Sequence, residues 1–167
     1  TLERMTAKCC RKAAVYLLDN KTDSVSVDAD RLHAFLGAAR YTREPLEKEA
    51  RVGIVNGLAW TSVGGEMLEV ECVLMPGKGN LKLTGQLGDV MKESAEAAFS
   101  WVRAHSEELK LQEDFYTKWD IHVHLPEGAV PKDGPSAGIT LTTALVSALT
   151  GRKARQDVAM TGEMTLR

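Results

Sequence analysis

Residues 121–151 read IHVHLPEGAVPKDGPSAGITLTTALVSALTG. Ile121 to Leu125 alternates apolar residues with histidines, the pattern of a strand with one buried face. Ser136 to Thr150 is largely apolar, without alternation, and long enough for a buried helix that Gly151 closes. Between them, residues 126–138 hold three prolines and three glycines, a composition that makes a loop stiff and shaped. A strand, a shaped loop and a buried helix in that order place this part of the chain in an α/β or α+β domain.

Upstream, Val90, Met91, Ser94, Ala98, Trp101, Val102 and Leu109 recur at helical spacing and predict a one-faced helix from about 88 to 110. Leu68, Val70, Cys72 and Leu74 alternate with Glu69, Glu71 and Val73 as in a half-buried strand. Gly53 to Trp60 is a strand interrupted by glycine, and Gly64-Gly65 marks a turn. Pro76 to Asn80 reads as a hairpin turn into Leu81-Lys82-Leu83, and Val158 to Met160 as a last strand. Near the start, Leu2, Met5, Cys9, Ala13, Tyr16 and Leu17 define an amphipathic helix over 2–18, and Ser24 to Val27 a short extended piece. A second helix is expected over 29–36, capped by Asp28 and stopped by Gly37. Residues 38–50 are polar, contain Pro45 and read as a linker. The expectation is a helical appendage over 1–37, a linker over 38–50 and a mixed-sheet domain over 51–167.

Composition excludes several classes. Of 167 residues, 44% are hydrophobic and 26% charged, which is ordinary globular usage. Twenty-one basic and 23 acidic residues give a formal charge of −2, which makes no electrostatic case for nucleic acid as a partner. No apolar run suggests a membrane span. Cys9, Cys10 and Cys72 form neither a disulfide framework nor a zinc site, and a reduced, cytoplasmic setting is expected. No metal or cofactor site is expected in this chain, which has no G-x-x-x-x-G-K-[ST] phosphate loop. Thr1 to Met5 shows no signal pattern, and Met164 to Arg167 shows no cap, so a piece of a longer protein is expected.

The densest chemistry surrounds Ser136. At the first turn of a helix, unpaired N–H groups and the positive dipole end can hold an oxyanion, and the small neighbours Gly134, Ala137 and Gly138 admit a substrate backbone. The plainer alternative is a serine that only caps its helix. Gly134-Pro135-Ser136-Ala137-Gly138 matches the nucleophile-elbow pattern of α/β-hydrolases, but a long loop precedes Ser136 and no histidine follows it. A serine–histidine arrangement in another chain order stays open: His122 and His124 share one strand face, with Asp120 or Asp133 as orienting groups. The alternative there is a pair of structural histidines. Trp60 is either a core or interface aromatic, or a wall of a groove in which polypeptide binds as an added strand.

Pro131-Lys132-Asp133-Gly134-Pro135-Ser136-Ala137-Gly138 resembles the active-site signature of the Lon-type ATP-dependent proteases. The likeness extends to His122 to Gly128, to Met160-Thr161-Gly162-Glu163, to Gly57 to Thr61 and to Gly85 to Ser94. It implies that residues 1–37 end the small helical subdomain of an ATPase module, and that 51–167 form a proteolytic domain, incomplete at its C-terminus. It implies a serine–lysine dyad with Ser136 as nucleophile and a desolvated, neutral lysine as base. The family's lysine lies beyond the Thr161-Gly162-Glu163 segment, so these 167 residues alone are expected to be inactive. Thr161 corresponds to a threonine beside the dyad, and Glu163 follows it in the motif. In some members the serine loop folds into a blocked form. The loop from Ala129 to Pro135 is therefore expected to switch, with Asp133 pairing a lysine in the closed shape and Asp133→Ala leaving basal activity no lower.

For the parent protein the likeness implies a homohexameric ring, with ATP and magnesium in its ATPase module. The ring feeds unfolded, damaged or regulatory proteins to a secluded chamber. A non-catalytic assembly module and a serine–histidine hydrolase are the rival readings.

Overall fold

The computed structural model describes residues 2–38, 49–61, 64–126 and 131–167. The chain divides into two compact units, Thr1–Pro45 and Leu46–Arg167. Most of the expected linker, residues 39–48, lies outside the described residues.

In the first unit, α1 spans Leu2–Asn20 and buries none of its residues. The second helix, α2, is only Leu32–Leu36. Asp28 does cap as expected, accepting the Arg31 N–H at 3.1 Å, but residues 29–31 remain a turn. Ser24 to Val27 pairs with no strand among the described residues. The unit is held by Phe35, which is buried against the Tyr16 ring at 6.3 Å, with the Arg31 guanidinium over both rings. The Lys8 ammonium donates to the Leu36 carbonyl at 3.1 Å, close to the end of α2 where a cation is favoured.

The second unit carries β1 (Ile54–Thr61), β2 (Gly64–Pro76), β3 (Leu81–Thr84), α3 (Asp89–Ala104), α4 (Phe115–Lys118), β4 (Trp119–His124), α5 (Gly138–Thr150) and β5 (Ala159–Met160). The strands form one mixed sheet in the order β3-β4-β2-β1-β5. β1 and β2 are an antiparallel hairpin, β2 and β4 are antiparallel, and β3–β4 and β1–β5 are parallel.

Two sequence expectations are corrected here. Pro76 to Asn80 does not turn β2 into a hairpin with β3, because β4 lies between them. Asp120 supplies the reason: its carboxylate accepts the N–H groups of Lys78 and Asn80, each at 2.8 Å, and draws the turn across the start of β4. Those backbone bonds hold the Asp120 carboxyl below the usual carboxylate range. Likewise, α3 stops at Ala104 rather than near Lys110. Residues 105–110 continue as turns, and Lys110, at φ 57, adopts the left-handed conformation of a helix C-cap, its own N–H bonded to Glu107 O and the Leu111 N–H to Ser106 O.

The core lies on one sheet face. Val55, Val70, Cys72, Ile121 and Val123 pack beneath α3 and α5, which contribute Ala98, Val102, Leu141 and Leu145, among others. Burial pushes the Cys72 thiol up to about 12, so it behaves as a small apolar side chain. The apolar face of α5 is covered by β1, β2 and α3, and no large α5 residue is exposed. Buried polar side chains are satisfied: Ser147 Oγ accepts the Gly53 N–H at 2.9 Å, and Asn56 donates to Gln156 O at 2.8 Å. Among the described residues no helix is long and apolar enough to cross a membrane.

Candidate active site

Ser136 sits in a 3-10 turn, Pro135–Ala137, that runs directly into α5. The capping alternative fails. Gly134 and Ala137 hold the cap positions and no side chain bonds there. The Ser136 residue is exposed, and its hydroxyl has no hydrogen-bond partner among the described residues. What is engaged is its carbonyl, which accepts the Gly162 N–H at 2.7 Å and the Thr161 hydroxyl at 3.4 Å.

Three attachments hold this turn. The first is a strap from residues 161–164. Gly162 donates to Ser136 O, and its own carbonyl accepts the Ile139 N–H at 3.0 Å. A Cβ on Gly138 would lie 2.5 Å from the Met164 backbone nitrogen, so glycine is required for the strap to cross the start of α5. The second is α3. Lys132 bridges Leu87 in parallel, with Gly88 N–H to Lys132 O at 2.7 Å and Lys132 N–H to Gln86 O at 3.1 Å. The Asp133 carboxylate accepts the Met91 N–H at 3.0 Å and the Gly134 N–H at 2.9 Å through the same oxygen. The third is the buried Ser94, whose hydroxyl donates to Pro135 O at 3.4 Å. Gly134, at φ 121, turns the chain between Asp133 and Pro135 in a conformation few other residues adopt. The Gly138 N–H returns to Pro135 O. Together with the bond from Ile139, this engages two of the helix-end donors that the sequence left free for an oxyanion.

A cleft of about 170 Å³ opens beside Ser136, walled by Ala59, Trp60, Leu68, Met91, Pro131 and Ala137. Trp60 stands 85% exposed, opposite Gly65 in the hairpin, so it is no core aromatic. β5 pairs with β1 only at Asn56 and Gly57, and among the described residues no strand covers β1 beyond Gly57 on that side. The structure thus brings Ser136, Asp133, Gly134, Thr161 and Trp60 around one cleft and its supports. Glu163 is exposed and lines a separate groove with Val90, Glu93 and Met164. Ala129 and Val130, the first two residues of the expected switch, lie outside the described residues.

The histidines are elsewhere. Ile121, Val123 and Leu125 of the same chain stretch face the helices, so alternation sends His122 and His124 to the opposite sheet face. There both ring nitrogens meet the Thr84 hydroxyl, His122 Nε2 at 2.9 Å and His124 Nδ1 at 2.7 Å. Asp120 holds a turn and Asp133 holds α3, so neither orients a histidine. The serine–histidine reading has no geometry behind it. Sequence reasoning missed Gly88, Met91 and Ser94 as supports, since nothing local marks a residue whose partner lies about 40 positions away in the chain.

Comparison with known proteins bears on this constellation. Residues 26–167 match the model of the Lon protease (S16) C-terminal proteolytic domain. This chain belongs to the Lon protease family. It is 58% identical over 165 residues to Lon protease 2 of Bdellovibrio bacteriovorus, covering 99% of this chain and 21% of that protein. It is 56% identical to Lon protease 1 of Bacillus subtilis (100% and 22%) and 56% identical to the Lon protease of Escherichia coli K12 (99% and 21%). The chain therefore spans about a fifth of the length of these curated Lon relatives.

Proposed function

We propose that this chain carries the nucleophile of an ATP-dependent serine endopeptidase that degrades unfolded, damaged and regulatory proteins. The observation that supports this most is the Ser136 hydroxyl, exposed and unengaged on a turn whose backbone is fastened on both sides, at the head of a cleft. In the reaction Ser136 Oγ attacks the scissile carbonyl carbon while its proton passes to a neutral lysine amine, and that proton then goes to the leaving amine. The lysine is the family's, from beyond Glu163, and the Thr161 hydroxyl, already next to the Ser136 backbone, holds its amine. Substrate lies along β1 beyond Gly57 as an added strand, with Trp60 as a wall. The parent protein works in the cytoplasm as a homohexameric ring, and its ATPase module uses ATP and magnesium to deliver unfolded polypeptide. The test is Ser136→Ala in the full-length protein, assayed with a fluorogenic peptide and an unfolded protein substrate. Loss of both activities with ATP hydrolysis retained is expected; near-normal peptide cleavage would overturn the assignment of the nucleophile.

A further inference from the structure

We infer that Asp133 is the N-cap of α3 supplied from another part of the chain, and that this cap, not a proton or charge role in the reaction, is how it positions Ser136. The inference rests on the proposed nucleophilic role of Ser136. A helix start leaves its first N–H groups without intrahelical partners, and a side-chain oxygen at the cap position normally accepts one two or three residues on. At α3 the cap position is Gly88, which has no side chain to offer. The Asp133 carboxylate fills that place. It accepts the N–H of Met91, the third residue of the helix, at 3.0 Å, where a capping side chain of residue 88 itself would bond. A Cβ on Gly88 would collide with the Asp133 carboxyl carbon, so the two residues share one space and only glycine leaves room.

The same oxygen accepts the Gly134 N–H at 2.9 Å and so fixes the bend that leads into Pro135 and Ser136. Beside it, Gly88 N–H to Lys132 O and Lys132 N–H to Gln86 O bind the two backbones together. Met91 also lines the Ser136 cleft. The cap thus joins the serine turn, one cleft wall and the start of a core helix through a single carboxylate.

A cap needs an acceptor oxygen in the right place, and asparagine and aspartate serve about equally well. A charge role needs the anion. Against the expectation from the sequence that Asp133→Ala leaves basal activity no lower, the bonds to Met91 and Gly134 imply that Asp133→Ala in the full-length protein should lower peptidase kcat by about tenfold to a hundredfold, the scale of a small misplacement of a reacting group, with little change in KM. Asp133→Asn should stay within about threefold of the parent. Gly88→Ala, which leaves the carboxylate in place but denies it room, should lower kcat as Asp133→Ala does. Amide exchange at Met91 should speed up in Asp133→Ala and Gly88→Ala, and not in Asp133→Asn. Asp133→Glu keeps the charge and moves it by one methylene; a cap ranks Asn above Glu, a charge role ranks Glu above Asn, and this pair decides the matter should the alanine variants not fold. The inference falls if Asp133→Asn is as impaired as Asp133→Ala, if either alanine variant keeps its kcat, or if Met91 exchange is unmoved. Turnover persisting in Ser136→Ala would remove the proposed function, whereas Met91 exchange reports on the cap without reference to activity.

Discussion

Serine 136 shows how little a residue's type decides by itself. Serine is a good cap, and its place at a helix start is the usual capping place; here the cap positions belong to Gly134 and Ala137, and the hydroxyl stays unengaged. Since the hydroxyl makes no bond to lose, Ser136→Ala should leave the melting temperature of the protein almost unchanged while ending peptide cleavage. A marked drop in melting temperature would show a structural bond at Ser136 Oγ. The histidines make the complementary case. Burial, then the Lys82 ammonium and His124, hold the His122 imidazole below the ordinary histidine value. The folded state thus disfavours protonated His122, and the unfolded chain binds that proton more readily. Stability is fully present above about pH 6.5 and falls as pH drops through that value toward the lowered folded pKa. Melting curves at pH 7.5 and pH 5.5 should separate by less in His122→Gln than in the parent, with peptide cleavage at neutral pH retained. An unchanged separation would place the acid sensitivity in another group.

At the scale of elements, the serine turn owes its position to two crossings, one over α3 and one under the 161–164 strap. Gly138→Ala tests the strap. Its methyl would meet the Met164 backbone, so the strap must lift and the bonds Gly162–Ser136 and Ile139–Gly162 must lengthen. Faster amide exchange at Ile139 and slower labelling of Ser136 by a serine-directed reagent are expected, while α5 itself survives on its contacts with β1, β2 and α3. Normal labelling together with an intact Ile139 amide would mean that the strap tolerates the methyl and does not position the serine. The Asp120 turn is a parallel device at the other end of β4. There a carboxylate also organises backbone N–H groups from a distant segment, and it places β3 on the far side of β4. In both, a short acidic side chain supplies what a local turn would otherwise provide.

For the molecule as a whole, the described residues form a closed core beneath one face of the sheet, yet no side chain among them hydrogen-bonds the Ser136 hydroxyl. A serine hydroxyl needs a base within about 2.6–3.2 Å to act at neutral pH. Residues 1–167, purified alone, should therefore show no turnover of a fluorogenic peptide, although slow labelling by a very reactive serine reagent is compatible with the exposed hydroxyl. Because α5 is covered, the isolated chain should fold, and inactivity should not come from unfolding. Robust turnover that disappears in Ser136→Ala would reveal a base within these residues. The opposite face of the sheet carries the exposed Val73 across from His122 in the Thr84–His122–His124 cluster, none of whose residues lines the Ser136 cleft.

Much was determined by sequence alone, because it depends on neighbours. Alternation along Leu68 to Leu74 and the apolar α5 closed by Gly151 are local patterns that became the elements expected, and the one-sided period of α3 became a helix that stops earlier, at Ala104. The serine signature, with its flanking motifs, also carried the family, since the motif residues lie close together in sequence. Tertiary structure decided what local patterns cannot encode. It set the order β3-β4-β2-β1-β5, in which β4 inserts between β2 and β3 as ladder partner of both, so that an expected hairpin gave way to a parallel pair formed with a strand distant in sequence. It assigned His122 and His124 to the face away from the serine, a matter of which side the helices cover. It gave the Asp133 carboxylate to α3, because Gly88, which looks like an ordinary helix start in the sequence, leaves a capping place open that only a distant side chain can fill.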